Sequence, residues 1–162
     1  MKYIVTAPKT IDVTIDLPSS KSICNRALVM HALAGGGCLP DNLSDCDDTD
    51  VMVKALCNNP DVIDIKAAGT AMRFLTAYYS VGSGEHLITG TERMRHRPIG
   101  LLVDALRYLG AEIEYADEDG FPPLLVRGKK LEGGPLEMPG NVSSQYISAL
   151  LMIGPALSKG IE

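Results

Sequence analysis

"LPSSKSICNRALVMHALA", residues 17–34, changes character part-way along. Pro18 stops what precedes it, and Lys21, Ser22, Asn25 and Arg26 crowd the opening turns of the next segment. From Ala27 the stretch is almost wholly apolar. Ile23, Ala27, Met30 and Ala34 recur at helical spacing, and Leu28, Val29 and Leu33 widen that face. The pattern predicts a helix buried on most sides. Two other stretches behave alike: "AAGTAMRFLTAYYSVG" (67–82) and "NVSSQYISALLMIGPAL" (141–157). Each opens on glycine or small hydroxyl residues and then turns apolar. Between them lie strand-like segments and more amphipathic helices near 48–57 and 98–109. This is a loose internal repeat of buried helix, strand, outer helix and strands, so the fold class is α+β, assembled from α/β repeats. The third repeat has only begun at Glu162, so the chain is expected to be part of a longer protein.

The remaining segments fill in the repeat. "KYIVTAP" and "IDVTIDLP" are β-branched, alternate in part and end on proline, which predicts two strands. "DVIDIKA", "EHLITG", "AEIEYA", "LLVRG" and "PLEMPG" are further strand candidates. "DNLSDCDDTDVMVKALCNNP" predicts a turn and a helix whose aspartates suit its N-terminus. Thr70 is the expected cap of the 67–82 helix. In "RPIGLLVDALRYLG", Pro98 suits the first helical position and Gly110 the C-terminal stop. Ser143 or Ser144 is expected to cap the last helix.

Composition narrows the chemistry. The 162 residues are about one domain's length, and 46% hydrophobic residues suffice for a core. The net charge of −5 argues against a nucleic-acid or anionic-membrane partner. No apolar run reaches the roughly 18 residues of a membrane span, and the first residues lack a signal-peptide core. Cys24, Cys38, Cys46 and Cys57 form no C-x-x-C pair and read as free thiols of a reducing, cytoplasmic compartment. Cys24, in a helix's opening turn, is the one expected to react with alkylating reagents. The three histidines are scattered, so no metal site is expected. "SKS" lacks the preceding glycines of a phosphate-binding P-loop.

Four places read as anion seats. A helix N-terminus offers unpaired N–H groups and about half a positive charge. Lys21 and Ser22 occupy the first turn of one, and Arg26 lies one turn on from Ser22, where its guanidinium could grip a carboxylate or phosphate with two hydrogen bonds. In "RMRHRP", Arg93, Arg95 and Arg97 alternate, so an extended loop would aim all three one way. In "VSSQY", Ser143, Ser144 and Gln145 bring two hydroxyls and an amide to a helix start. Gly69 lets a ligand approach the backbone closely. For each, ordinary capping or a solvated basic loop is the competing explanation.

Together "LPSSKSICNRAL", "SDCDDT", "AAGTAMRFLTA", "LITGTERMRHRPIGLLVDALRYLGAEIEY" and "VSSQYISALL" resemble the 5-enolpyruvylshikimate-3-phosphate synthase family, over nearly the whole chain and in that family's order. The resemblance implies an enolpyruvyl-transferase-like inverted α/β barrel of βαβαββ repeats, present here as one incomplete domain of two. Residues 1–20 would belong with the second domain and 21–162 with the first. It implies transfer of the enolpyruvyl group of phosphoenolpyruvate to the 5-hydroxyl of shikimate 3-phosphate, with no cofactor or metal. These small molecules are the expected partners. Lys21 would lie between the two substrates, Ser22 and Arg26 would hold the shikimate ring's carboxylate and nearby oxygens, and Gly69 and Arg93 would meet phosphoenolpyruvate. Ser143 and Ser144 would bind the 3-phosphate, and Gln145 would touch both ligands.

Departures qualify this. Ser19 and Ala67 stand where the family has Gly and Asn, and Phe74 where it has Pro, which puts glyphosate sensitivity in doubt. The family's proton-transfer residues would lie beyond 162. The chain alone is therefore expected to be inactive, and it is expected to be prone to self-associate because the remainder would cover apolar surface, whereas the whole protein would be a monomer. The UDP-N-acetylglucosamine enolpyruvyl transferases are the alternative, but they show Lys-Asn at positions 21–22 and a reactive cysteine near the arginine-rich segment, and no cysteine follows Cys57 here. A non-catalytic anion-binding module of the same fold is the other alternative.

Overall fold

The helix expected at 67–82 forms as α3, Gly69–Val81, and the other long helices and the sheet pack around it. The structure, a computed structural model, describes residues 2–36 and 39–162. Ahead of α3 come α1 (Lys21–Leu33), α2 (Asp47–Asn58) and strand β1 (Val62–Asp64). After it come β2 (Gly84–Thr89), the single turn α4 (Glu92–Arg95), α5 (Gly100–Tyr108), β3 (Glu112–Tyr115), β4 (Leu124–Gly128) and α6 (Ser144–Ile153). A 3-10 turn, Gly154–Ala156, follows. The four strands form one sheet in the order β1-β2-β4-β3. β1 and β2 are parallel, with α3 as their crossover, and β4 runs antiparallel to both β2 and β3. Residues 62–128 are therefore one complete βαβαββ unit, interrupted only by α4.

Alternation sets the faces of the sheet. Ile63, Ile88, Ile113, Leu124 and Val126 are buried, while Asp64, Glu85, Glu112 and Glu114 face water. On the wet face Arg127 reaches Glu85 at 2.7 Å and also pairs with Glu114. The core joins that sheet face to α3, which buries Phe74, Leu75 and Met72 completely. Leu28 and Val29 of α1, Met52 of α2, Leu102 and Leu106 of α5, and Ala149 and Ile153 of α6 close around it. Each large side chain taken from water contributes about 1.5–3 kcal/mol. Buried hydroxyls are satisfied locally: Thr76 donates to the Met72 carbonyl and Ser80 to that of Thr76, both at 2.7 Å.

Several expectations fail for identifiable reasons. Residues 2–20 form neither helix nor strand, and all but Ser19 are exposed. Strand propensity is realised only where a neighbour completes the ladder, and none of the four strands does so. "PLEMPG" is no strand either, since Pro135 and Pro139 lack N–H donors. The adjoining Gly134 makes only an isolated bridge to Ile161. α3 begins one residue before Thr70, with Ala68 at the cap position, and Pro98 precedes the Ile99 cap of α5. The face of α1 carrying Ile23 and Met30 is exposed, at 70% and 54%, because α2, α3 and α6 pack on its Cys24–Asn25–Leu28–Val29 side. Ser143 does cap α6, its hydroxyl accepting the Gln145 N–H at 3.3 Å.

The cysteines also redistribute. Cys24 is 6% exposed and its sulfur accepts the Ser44 N–H at 3.2 Å, so it is shielded from the reagents it was expected to meet. Cys57 is exposed, and Cys38 lies outside the described residues. In the folded chain, iodoacetamide should modify Cys57 at least about tenfold faster than Cys24, because alkylation needs an accessible thiolate. Peptide mapping after a timed pulse reads both rates, and equal rates would mean that the α1 contact opens freely.

Candidate anion-binding site

The second turns of three helices touch through one side chain. Arg26 of α1 donates from Nη1 to the Ser22 carbonyl at 2.8 Å and from Nη2 to Ser148 Oγ of α6 at 3.0 Å. Its guanidinium lies 5.3 Å from the centroid of the Phe74 ring of α3. One turn earlier, Gln145 Nε2 donates to Thr70 Oγ1 at 3.2 Å, which ties the first turn of α6 to that of α3. α1, α3 and α6 therefore present their N-termini at one end of the molecule. Their partial positive charges add there, and the free N–H groups of three first turns share one neighbourhood.

The arginine-rich segment adjoins that end. Thr91 precedes α4, and its carbonyl takes the N–H of Met94 and Arg95 at 2.8 and 3.0 Å. The extended loop with three aligned arginines is thus replaced by a helical turn. Arg93 and Arg97, four residues apart, face one way and line a cavity of about 400 Å³ with Ala67, Thr91 and Met94. Arg95 points elsewhere and pairs with Asp117 at 2.7 Å. Buried Met94 pins the turn to the core. Arg97 reaches back to α3: a Cβ built on Gly69 would lie 2.3 Å from Arg97 Nη1 and 2.9 Å from Arg73 Nη1.

Arg73 was not singled out by the sequence, although an arginine inside the apolar run of 67–82 is itself a signal. It is 6% exposed, donates to the Gly69 carbonyl at 2.6 Å, and lies 5.4 Å from the ring centroid of Tyr146. The Tyr146 hydroxyl in turn donates to the Pro98 carbonyl at 2.8 Å. Burial lowers the Arg73 pKa, Tyr146 opposes this and Arg97 adds to it. A guanidinium nevertheless remains charged. Among the described residues no carboxylate pairs with Arg26, Arg73, Arg93 or Arg97. The other expected residues are less gathered. Lys21 pairs with Asp48 of α2 at 3.4 Å, Ser22 lends its carbonyl to Arg26, and Ser143 and Ser144 are exposed at the start of α6.

Gly69→Ala tests the junction. Alanine is the better helix former by about 1 kcal/mol, and exposed Arg97 can swing aside whereas buried Arg73 cannot. The melting temperature should change little, while affinity for inorganic phosphate should fall several-fold. Calorimetric titration and a melting curve on the same sample check both, and undiminished phosphate binding would show that Gly69 stands outside the site.

Comparison with known proteins gives the family and the fold. A family model described as EPSP synthase (3-phosphoshikimate 1-carboxyvinyltransferase) matches residues 5–59 and 56–162. A 3-phosphoshikimate 1-carboxyvinyltransferase of Bacteroides fragilis is 62% identical over 162 residues, covering 100% of this chain and 40% of that protein. One of Shewanella halifaxensis is 42% identical over 178 aligned positions, covering 94% of this chain and 42% of that one. A solved EPSP synthase from Acinetobacter baumannii superposes with a TM-score of 0.72 at 21% identity, over 88% of this chain and 38% of that chain, and so shares the fold. The chain spans about 40% of the length of the curated relatives it matches.

Proposed function

The chain belongs to the EPSP synthase family, and from that premise we propose that it supplies one wall of a cleft that transfers the enolpyruvyl group of phosphoenolpyruvate to shikimate 3-phosphate. The observation that carries this is the meeting of three helix N-termini beside arginines that no described carboxylate neutralises. Both substrates are polyanions, and bringing them together costs electrostatic energy that such a site offsets. Charge-assisted hydrogen bonds add about 1.5–3 kcal/mol each.

Arg26 and Ser22 hold the shikimate ring's carboxylate and nearby oxygens, and Ser143, Ser144 and Gln145 hold its 3-phosphate. Gly69 and Arg93 hold phosphoenolpyruvate. Lys21 reaches between the two substrates, its half-exposed pairing with Asp48, long at 3.4 Å, being weak enough to release. The substrate hydroxyl gives up its proton as its oxygen attacks C2 of phosphoenolpyruvate and C3 takes a proton; phosphate then leaves the tetrahedral intermediate as C3 releases a proton and the C2–C3 double bond re-forms. Groups in the remaining family length move the protons and close the cleft, and residues 1–20 pack with that second domain. Among the described residues, no helix is long and apolar enough to cross a membrane.

The test is calorimetric titration of shikimate 3-phosphate into a polypeptide extended to the relatives' full length, with and without glyphosate. Saturable binding tightened by glyphosate is expected, together with phosphate release from the two substrates that the 162-residue chain alone does not support. A full-length polypeptide that binds neither substrate would sink the assignment.

A further inference from the structure

We propose that Arg73 is a positioning residue whose buried charge no described carboxylate pairs, so that an anion held by Arg93 and Arg97 becomes its counter-ion. This rests on the anion-site reading above and goes beyond it, since Arg73 lies behind the Gly69 backbone and lines no part of the Arg93 cavity.

Three observations carry it. First, Arg73 is 6% exposed, and its Nε has no hydrogen-bond partner. Leaving a donor of a charged group unmade in the interior is costly. Second, the described groups that answer that cost are neutral: the Gly69 carbonyl on Nη1 and the face of the Tyr146 ring. Third, a second guanidinium approaches the same glycine, because Arg97 Nη1 and Arg73 Nη1 both fall within 3 Å of the position a Gly69 Cβ would take. Two like charges converging on one backbone atom repel. An anion in the Arg93–Arg97 cavity removes that repulsion and also stabilises the buried charge behind it.

The arrangement separates two effects that an ordinary structural arginine would combine. Replacing an uncompensated buried charge with an apolar side chain of similar reach is often neutral or stabilising. The same replacement weakens anion binding, because the field at the cavity falls. Arg73→Met should therefore leave the melting temperature unchanged or raised, while inorganic phosphate binds about tenfold more weakly. Arg73→Lys keeps the charge and should stay within about threefold of the parent chain.

Phosphate is titrated by calorimetry into the 162-residue chain and both variants, with melting curves alongside. Phosphate affinity that follows charge at residue 73, with the methionine variant no less stable, supports the proposal. Three results overturn it: no phosphate binding by the parent chain, equal affinity in the methionine variant, or equal losses of affinity and stability in both variants. Repeating the titration with shikimate 3-phosphate and phosphoenolpyruvate in the full-length polypeptide separates the two ideas. Charge-dependent phosphate binding with no binding of either substrate would remove the enolpyruvyl assignment and leave the role of Arg73 standing.

Discussion

Phe74→Ala should cost about 3–5 kcal/mol of folding stability, the usual loss when a fully buried phenylalanine is cut back and its cavity only partly collapses. Phe74 is 0% exposed in the middle of α3, the helix on which α1, α2, α5 and α6 all pack. Its ring cannot be replaced by repacking from one side alone. The substitution also reaches the site, because the ring is the floor beneath Arg26. Such a contact is worth about 0.5–2 kcal/mol, depending on how dry it is. Arg26 would keep its bonds to the Ser22 carbonyl and to Ser148 but lose the surface that aims it. Urea unfolding should show a lower midpoint with an unchanged slope. Phe74→Leu should recover most of the stability without restoring the aromatic face. Shikimate 3-phosphate affinity should therefore stay reduced in the leucine variant. A leucine variant binding like the parent would show that the ring serves packing alone.

That double role marks what the sequence could reveal. Helical spacing in 67–82 and 141–157 was readable because burial on most sides demands apolar residues at most positions. The loose repeat of buried helix, strand, outer helix and strands followed from strand-like runs between helical ones, whereas the βαβαββ order was implied only by the family resemblance. The faces were less readable. Ile23 and Met30 share a stripe with Ala27, yet α1 packs on Cys24, Asn25, Leu28 and Val29. An almost uniformly apolar helix carries little directional signal, so its neighbours decide which side is covered. The strand-like residues 2–20 show the same limit, since propensity without a partner gives no ladder. At the site, Arg26 and Gln145 stood out because polar groups at the mouths of apolar helices need a reason, Gly69 because a glycine lets a ligand approach the backbone, and Arg93 because it belongs to a run of arginines. Arg73 escaped because its partners are a carbonyl and a ring, and neither leaves a charge pattern in the sequence. The alternation in "RMRHRP" misled for a related reason: the Thr91 carbonyl starts a turn there, so spacing of four, not two, decides which arginines face together.

Arg93→Ala should lower kcat/KM for phosphoenolpyruvate by roughly a hundredfold or more in the full-length polypeptide. Two charge-assisted hydrogen bonds at about 1.5–3 kcal/mol each are at stake, and each 1.4 kcal/mol or so is a factor of ten. Stability should hardly move, because Arg93 is exposed on the short α4 turn and no described carboxylate depends on it. The loss should also be unequal between substrates. Arg93 lines the cavity beside Gly69, whereas Arg26 and Ser148 lie toward α1 and α6. Shikimate 3-phosphate affinity should therefore fall far less than phosphoenolpyruvate affinity. Arg93→Lys should sit between, since an ammonium keeps the charge but not the paired donors of a guanidinium. Removing Arg93 also takes one positive charge from beside Arg97, so some of the lost attraction is returned as relief of like-charge repulsion. The lysine variant isolates that term, because it keeps the repulsion and loses only geometry. If alanine and lysine lose activity equally, the planar fork matters and the charge does not. If neither loses activity, phosphoenolpyruvate binds away from the Arg93 cavity.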